Sequence, residues 1–234
     1  EAGCSLAESA PAAEFAAFCA EHPDHLVVTY VNSTAAVKAL SDYCVTSSNA
    51  VAVVRSLPKD KGIIFAPDQY LGDWVAKETG RELLLWQGSC EVHEVFNAQA
   101  IAELKQEHPR ARVLVHPECP ATVRDLGDVI GSTKVLLGAV ENGPAEASYI
   151  VVTEPGIIHK MRLARPRATF IAAPRSASAS EEGSCDHCNT CPHMKRNTLE
   201  KLWRCLHDGT PEVTLDPALA ARARLPIERM VSIG

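Results

Sequence analysis

The sequence predicts an α/β protein made of pseudo-symmetric, repeated three-layer α/β/α sandwich units with short parallel sheets. Three observations predict it. An internal repeat runs along the chain, each copy alternates short β-branched runs with helical stretches, and each copy closes near a cysteine. Strands alternating with helices form parallel sheets, because the crossover helices must lie on the faces of the sheet.

The repeat has a constant offset of 86 residues. EHPDHLVVTYVNSTAAVKALSD from Glu21 aligns with EHPRARVLVHPECPATVRDLGD from Glu107, matching Val37 with Val123, Lys38 with Arg124, Leu40 with Leu126 and Asp42 with Asp128. The same offset relates Cys4 to Cys90, IIFAPDQYL from Ile63 to YIVVTEPGI from Tyr149, and Leu84 and Leu85 to Phe170 and Ile171. Agreement of several segments at one offset marks a duplicated supersecondary unit.

Each copy opens on a β-branched run, VVTYV or VLVHP, followed by a helix carrying Val, Lys or Arg, and Leu at helical spacing. A TSSNA or GSTKV segment and another helix come next. A strand (IIFAP, YIVVT), a helix and a last strand (LLLW, TFIAA) then lead towards a cysteine. One unit is expected over 13–95 and another over 96–200, with a helical extension over 201–234. Residues 1–12 are read as the remnant of an earlier unit that closes at Cys4; the alternative is an ordinary chain terminus.

The chain has 234 residues, 46% of them hydrophobic, enough to bury a real core. A net charge of −6 with scattered lysines and arginines argues against a nucleic-acid surface. No apolar run approaches the ~18–20 residues that span a bilayer. The expectation is a soluble, cytoplasmic protein without nucleic-acid or membrane partners.

Nine cysteines, an odd number, suit metal binding or catalysis in a reducing compartment better than a disulfide framework. Cys185, Cys188 and Cys191 form a C-x-x-C-x-x-C run followed by Pro192, a spacing like that of ferredoxins. A self-contained zinc site takes four ligands, usually as two pairs, and only one local trio is present. The repeat supplies another account: Cys4 and Cys90 are one position seen twice, and the cysteine-rich loop closes the following unit. One thiolate per unit would then hold a central four-iron cluster with one iron left open. A zinc or iron–sulfur module using only the C-terminal trio stays open as an alternative, as does a thiol-redox role. Cys19, Cys44 and Cys205 fall in helical patterns and read as buried small hydrophobes; Cys119 follows a strand expected at the site.

Ligands of parallel α/β sheets bind beyond the carboxyl ends of the strands. Tyr30 and Asn32 end one strand, and His116 and Glu118 occupy the equivalent positions in the second copy. Glu118 suits acid–base work with His116 beside it; a plain surface turn around Pro117 is the alternative. Ser47 and Ser48 correspond to Thr133 and Lys134, and Thr46 to Ser132. Hydroxyl clusters before a helix either cap it or help its free N–H groups hold an anion. His93 lies three residues after Cys90.

The motifs EAGCSLAES, VTYVNSTAAVKALSD, APDQYLG, LLLWQGSC-x-x-H, VLVHPE, IGST and CDHCNTCPHM, taken in order, resemble the quinolinate synthase family over essentially the whole chain. The resemblance implies α/β/α domains around a central [4Fe-4S] cluster. It also implies the condensation of iminoaspartate with dihydroxyacetone phosphate to quinolinate, a precursor of NAD, and a functional link to L-aspartate oxidase. By that resemblance the ligands are Cys4, Cys90 and Cys191. The substrate site maps onto Tyr30, Asn32, Ser47, His93, His116, Glu118, Ser132 and Thr133, with Tyr30, His116 and Glu118 catalytic. By the same resemblance the 234 residues are expected to lack the family's first domain apart from its cluster cysteine, and by themselves to have little activity.

Overall fold

The computed structural model describes residues 3–175 and 189–233. Cys185 and Cys188 lie outside the described residues. The chain divides into two compact units, Glu1–Gly88 together with Cys191–Gly234, and Ser89–Thr190. The first unit contains α1 (Ser5–Glu8), α2 (Ala12–Ala20), β1 (Leu26–Tyr30), α3 (Ala35–Lys38), β2 (Tyr43–Val45), α4 (Ala50–Ser56), β3 (Ile63–Ala66), α5 (Gln69–Thr79) and β4 (Leu84–Leu85). The second contains α6 (Glu91–Glu94), α7 (Ala98–Glu107), β5 (Arg112–Val115), α8 (Ala121–Arg124), β6 (Val129–Ile130), α9 (Thr133–Glu141), β7 (Ser148–Val152), α10 (Ile157–Ala164) and β8 (Thr169–Ala172). The chain returns to the first unit with α11 (Pro192–Lys195), α12 (Leu199–Asp208) and α13 (Pro217–Ile233).

Each unit has a parallel four-stranded sheet, ordered β2-β1-β3-β4 in the first and β6-β5-β7-β8 in the second. The two sheets repeat each other in register. Val28 lies opposite Tyr43 as Leu114 lies opposite Val129, and Leu26 opposite Ile63 as Arg112 opposite Tyr149. The 86-residue offset then slips by one. Ile64 faces Leu84, whereas Ile150 faces Ile171, so Leu84 corresponds to Ile171 and not to Phe170 as a uniform offset requires. The segment between the third and fourth strands differs in build, with an 11-residue helix in one copy and an 8-residue helix in the other. Loops absorb such differences more easily than paired strands do.

Side chains alternate across a strand, so one run of apolar residues feeds two cores. In the second unit Val113, Val115, Ile150 and Val152 pack with Ile101 of α7 and Val123 of α8. Leu114, Tyr149 and Val151 point the other way, onto Leu136 and Val140 of α9 and Ile158 and Met161 of α10. Helices therefore cover both faces, and each fully buried aliphatic side chain contributes about 1.5–3 kcal/mol. In the first unit Phe15 of α2 and Val37 of α3 pack with Val27, Ile64 and Ala66. Trp86 joins them edge-on to Phe15 and Phe18 and donates its indole N–H to Ser9 O at 2.9 Å. Helix α5 crosses β3 at Gly72, where a Cβ would sit 2.9 Å from Phe65 Cδ1 and 2.6 Å from Leu85 Cδ2. Only glycine permits that approach.

The residues matched by the repeat have the same structural work in both copies. The Asp42 amide donates to Val27 O at 2.8 Å while its Oδ2 accepts the Val27 N–H at 2.8 Å. Asp128 does the same with Val113, at 2.9 and 2.7 Å. Lys38 Nζ donates to Val31 O (2.7 Å) and Ser33 O (2.5 Å), and Arg124 Nη1 donates to Pro117 O (3.2 Å). Since Pro117 is the repeat equivalent of Val31, each cation secures the loop after the first strand of its sheet. Those loops carry Asn32 in one copy and His116 and Glu118 in the other.

Two cysteine expectations need correction. Cys44 is buried, but it lies in β2, a strand too short for its periodicity to show; Cys205 is on α12 and exposed. Cys19 is half-buried on α2. Helix α13 packs on β2 and α3, with Arg229 Nη1 donating to Asp42 O at 2.9 Å and its guanidinium 5.8 Å from the Tyr43 ring centroid. Among the described residues no helix is long and apolar enough to cross a membrane.

Candidate functional site

Both sheets end their strands on polar residues. In the first unit Tyr30 is the last residue of β1 and buried, and Asn32 is exposed in the loop that Lys38 secures. Burial pushes the Lys38 ammonium below the usual lysine value, with Cys44 opposing that shift. Ser47 lies half-buried in the turn after β2. Thr46, rather than Ser47, organises that turn: its N–H donates to Asn49 Oδ1 at 2.7 Å, and its hydroxyl accepts the Ser48 N–H at 3.3 Å.

The second unit gathers its polar residues more closely. His116 and Glu118 follow β5, Ser132 and Thr133 follow β6, and Thr153 follows β7. Ser132 is the N-cap of α9 and accepts the Val135 N–H at 3.4 Å, so the capping alternative is realised for its hydroxyl; Thr133 is the first helical residue. His116 is anchored by its N–H, which donates to Val152 O at 3.1 Å.

His93, on α6, meets the strand-end groups. Its Nε2 lies 2.9 Å from Thr153 Oγ1, and its Nδ1 lies 3.0 Å from Glu118 Oε2 but makes no well-directed hydrogen bond. The His93 and His116 rings stack with centroids 4.5 Å apart. His116 Nδ1 sits 3.7 Å from Glu118 Oε1 and accepts a long hydrogen bond from the Glu118 N–H at 3.5 Å. All three side chains are at least nine-tenths buried, with residue exposures of 7%, 4% and 3% for His93, His116 and Glu118. Burial pushes the His116 imidazole down to about 4, opposed by Glu118 and reinforced by His93. His116 is therefore neutral at neutral pH, with Nδ1 as the acceptor and the proton on Nε2.

Cys90, His93 and Glu118 each present one ligand-capable atom within 4.8 Å of the others. Cys90 is the N-cap of α6, so Cys90 and His93 stand one turn apart on the same helix face. Asn189 Nδ2 donates to Val92 O and pins the turn between them. Cys119 is fully buried, with its side chain in the core beneath β5 and β7.

The three cysteines singled out by repeat and resemblance share a local geometry. Cys4, Cys90 and Cys191 each cap a four-residue helix, with ψ of 116°, 117° and 116° and no hydrogen bond from the helix to the cap side chain. All three are half-buried. In the first unit the segments carrying Cys4 and Cys191 adjoin, since a Cβ on Gly3 would lie 3.3 Å from His193 Nδ1.

Comparison with known proteins decides the family. The family model for "Quinolinate synthetase A protein" matches residues 1–232. The chain belongs to the quinolinate synthase family. It is 51% identical over 233 residues to the quinolinate synthase of Prochlorococcus marinus strain MIT 9303, covering 100% of this chain and 68% of that protein. It is 50% identical to the quinolinate synthases of Synechococcus sp. strain ATCC 27144 and Synechocystis sp. strain ATCC 27184, covering 100% of this chain and 71% of each.

Three residues lay outside the sequence reading of the candidate site. Lys38 and Arg124 were visible as repeat matches, but their role in holding the strand-end loops was not. Thr153 had a positional signal, since it is the first residue beyond β7 and strand ends are where parallel sheets place ligands.

Proposed function

We propose that this chain works as a quinolinate synthase, condensing iminoaspartate with dihydroxyacetone phosphate on the way to NAD. The observation that carries the reading is the family match over residues 1–232, joined to a buried His93–Glu118–His116 cluster at the strand ends. Cys4, Cys90 and Cys191 are the proposed ligands of a [4Fe-4S] group. Their common cap geometry fits that role, because each is an extended cap residue whose side chain makes no capping hydrogen bond to its helix. When bound, such a group with three protein ligands supplies an open iron that acts as a Lewis acid.

In this reading Tyr30 and Asn32 contact substrate, and Ser47, His93, Ser132 and Thr133 hold its carboxylates or phosphate. Glu118 moves protons during dehydration and ring closure, with neutral His116 as a hydrogen-bonding partner. Curated relatives are longer than this chain, and the remaining substrate contacts are assigned to the part they add. Quinolinate formation by the 234 residues alone is accordingly expected to be weak.

The test is anaerobic reconstitution with iron and sulfide, followed by metal and sulfide analysis and absorption spectroscopy. About four irons per chain and a broad absorption near ~400 nm, both lost in Cys90→Ser, are expected. A colour that persists in Cys4→Ser, Cys90→Ser and Cys191→Ser alike would overturn the ligand assignment. Vigorous quinolinate synthesis by the 234-residue chain would overturn the expected dependence on additional sequence.

A further inference from the structure

The buried histidine beside Cys90 is held in a way that its substrate-binding role does not require. Its Nε2 is fixed at 2.9 Å from the Thr153 hydroxyl, while Nδ1 is buried, makes no well-directed hydrogen bond and faces the Glu118 carboxylate at 3.0 Å. When Nε2 carries the proton and donates to Thr153 Oγ1, the Nδ1 lone pair points at a carboxylate oxygen. Two electron-rich atoms at that distance, both shielded from water, repel unless a proton or a metal cation lies between them. The Cys90 thiol stands within 4.8 Å of both groups.

We propose that Cys90, His93 and Glu118 form a mononuclear site for a borderline divalent cation, Zn2+ foremost, which competes with the iron–sulfur group for Cys90. The donor set is one thiolate, one imidazole and one carboxylate, the mixture that borderline metals take. Two ligand charges balance the two of the cation, so the buried cluster becomes neutral once filled. Ligand atoms on a tetrahedral zinc lie roughly 3.3–3.6 Å apart, given bonds of about 2.0–2.3 Å. The Nδ1–Oε2 separation of 3.0 Å is already close to that, and the Cys90 sulfur lies within 4.8 Å of both atoms. Three protein ligands leave a fourth position for water.

The surroundings supply what a metal-binding histidine needs. Thr153, itself buried, bonds the second ring nitrogen at 2.9 Å and, by accepting from it, supports the tautomer in which Nδ1 ligates a metal. Asn189 holds the backbone of the turn that spaces Cys90 from His93. All of these residues belong to the second unit, so the site needs no ligand from Cys4 or Cys191. It is therefore available in a chain that has not assembled its iron–sulfur group, and filling it withholds Cys90 from assembly.

The experiment uses iron- and sulfide-free protein carrying Cys185→Ser and Cys188→Ser, so that the C-x-x-C pair does not compete. Titration with Co2+ is expected to give one equivalent bound, with a thiolate charge-transfer band and the intense visible bands of a tetrahedral site; Zn2+ should displace it. His93→Ala and Glu118→Gln should each abolish that spectrum, and Thr153→Val should weaken binding about 10- to 100-fold. Cys191→Ser should leave it intact although it removes a proposed cluster ligand, which separates this site from the cluster assignment. Circular dichroism identifies any variant that fails to fold, and the conservative Glu118→Gln then decides. A cobalt spectrum insensitive to both His93→Ala and Glu118→Gln, or the absence of stoichiometric binding in folded protein, overturns the proposal. Zinc-loaded protein should also reconstitute several-fold less iron than metal-free protein; equal reconstitution would overturn the competition.

Discussion

Replacing Lys38 by methionine should loosen the loop that carries Asn32 while leaving the sheet intact. Lys38 donates from Nζ to Val31 O at 2.7 Å and to Ser33 O at 2.5 Å. A hydrogen bond from a charged donor contributes about 1.5–3 kcal/mol, so the gross loss is about 3–6 kcal/mol. Two effects reduce it. The ammonium is half-buried, and its pKa is lowered chiefly by that burial, so removing it relieves a desolvation cost. Methionine also keeps most of the apolar stem. The net expectation is about 2 kcal/mol, roughly thirty-fold in the opening equilibrium of the loop. Amide hydrogen exchange reads this directly, since the Val31 N–H is bonded to Val45 O and the Ser33 N–H to Val31 O. Both amides should exchange roughly thirty-fold faster in Lys38→Met, with protection in α5 unchanged. Lys38→Arg, which places here the residue type of the second copy, should restore most of the protection. Exchange rates in Lys38→Met within about twofold of the parent would refute the idea that this side chain secures the loop.

Asp128 is pushed up by burial, but the Val113 N–H, Lys105 and Arg112 together outweigh this and hold it below the usual carboxylate value. Its stabilisation is complete above the unfolded-state pKa and lost as pH falls through the folded one, because the unfolded chain binds the proton first. Denaturation at a series of acidic pH values should show a steeper loss of stability in the parent than in Asp128→Asn, and parallel curves would contradict the assignment. Leu114→Ala removes a fully buried side chain between β5 and the α9–α10 face, and should cost about 2–5 kcal/mol in urea unfolding. Gly72→Ala forces a methyl against Phe65 and Leu85, and should destabilise by about 1–3 kcal/mol in thermal melts.

The duplication was legible because both copies must solve the same local problem. Asp42 and Asp128 each satisfy a strand-end backbone pair, and Lys38 and Arg124 each secure a loop, so the same residue types recur at one offset. Strands β1, β3, β5 and β7 were legible from their apolar runs. Strands β2 and β6, of three and two residues, were not, since a period of two needs more residues than that to show. The slip at β4 and β8 was hidden for another reason: both candidate partners of Leu84 are apolar, and only the pairing register distinguishes them.

By itself the sequence determined the α/β class, the repeat, and the strand-end positions of Tyr30, Asn32, His116 and Glu118, because side-chain period and chain direction are local properties. Only the tertiary structure decided which of those groups meet. His93 and Thr153 are 60 residues apart and share a hydrogen bond because β5 and β7 are neighbours in the sheet order while α6 lies near their carboxyl ends. Strand order and loop length set such meetings, and neither leaves a period in the chain. A histidine three residues after a cysteine could be read as a position. That its Nε2 is held by a threonine and its Nδ1 faces a buried carboxylate belongs to the fold.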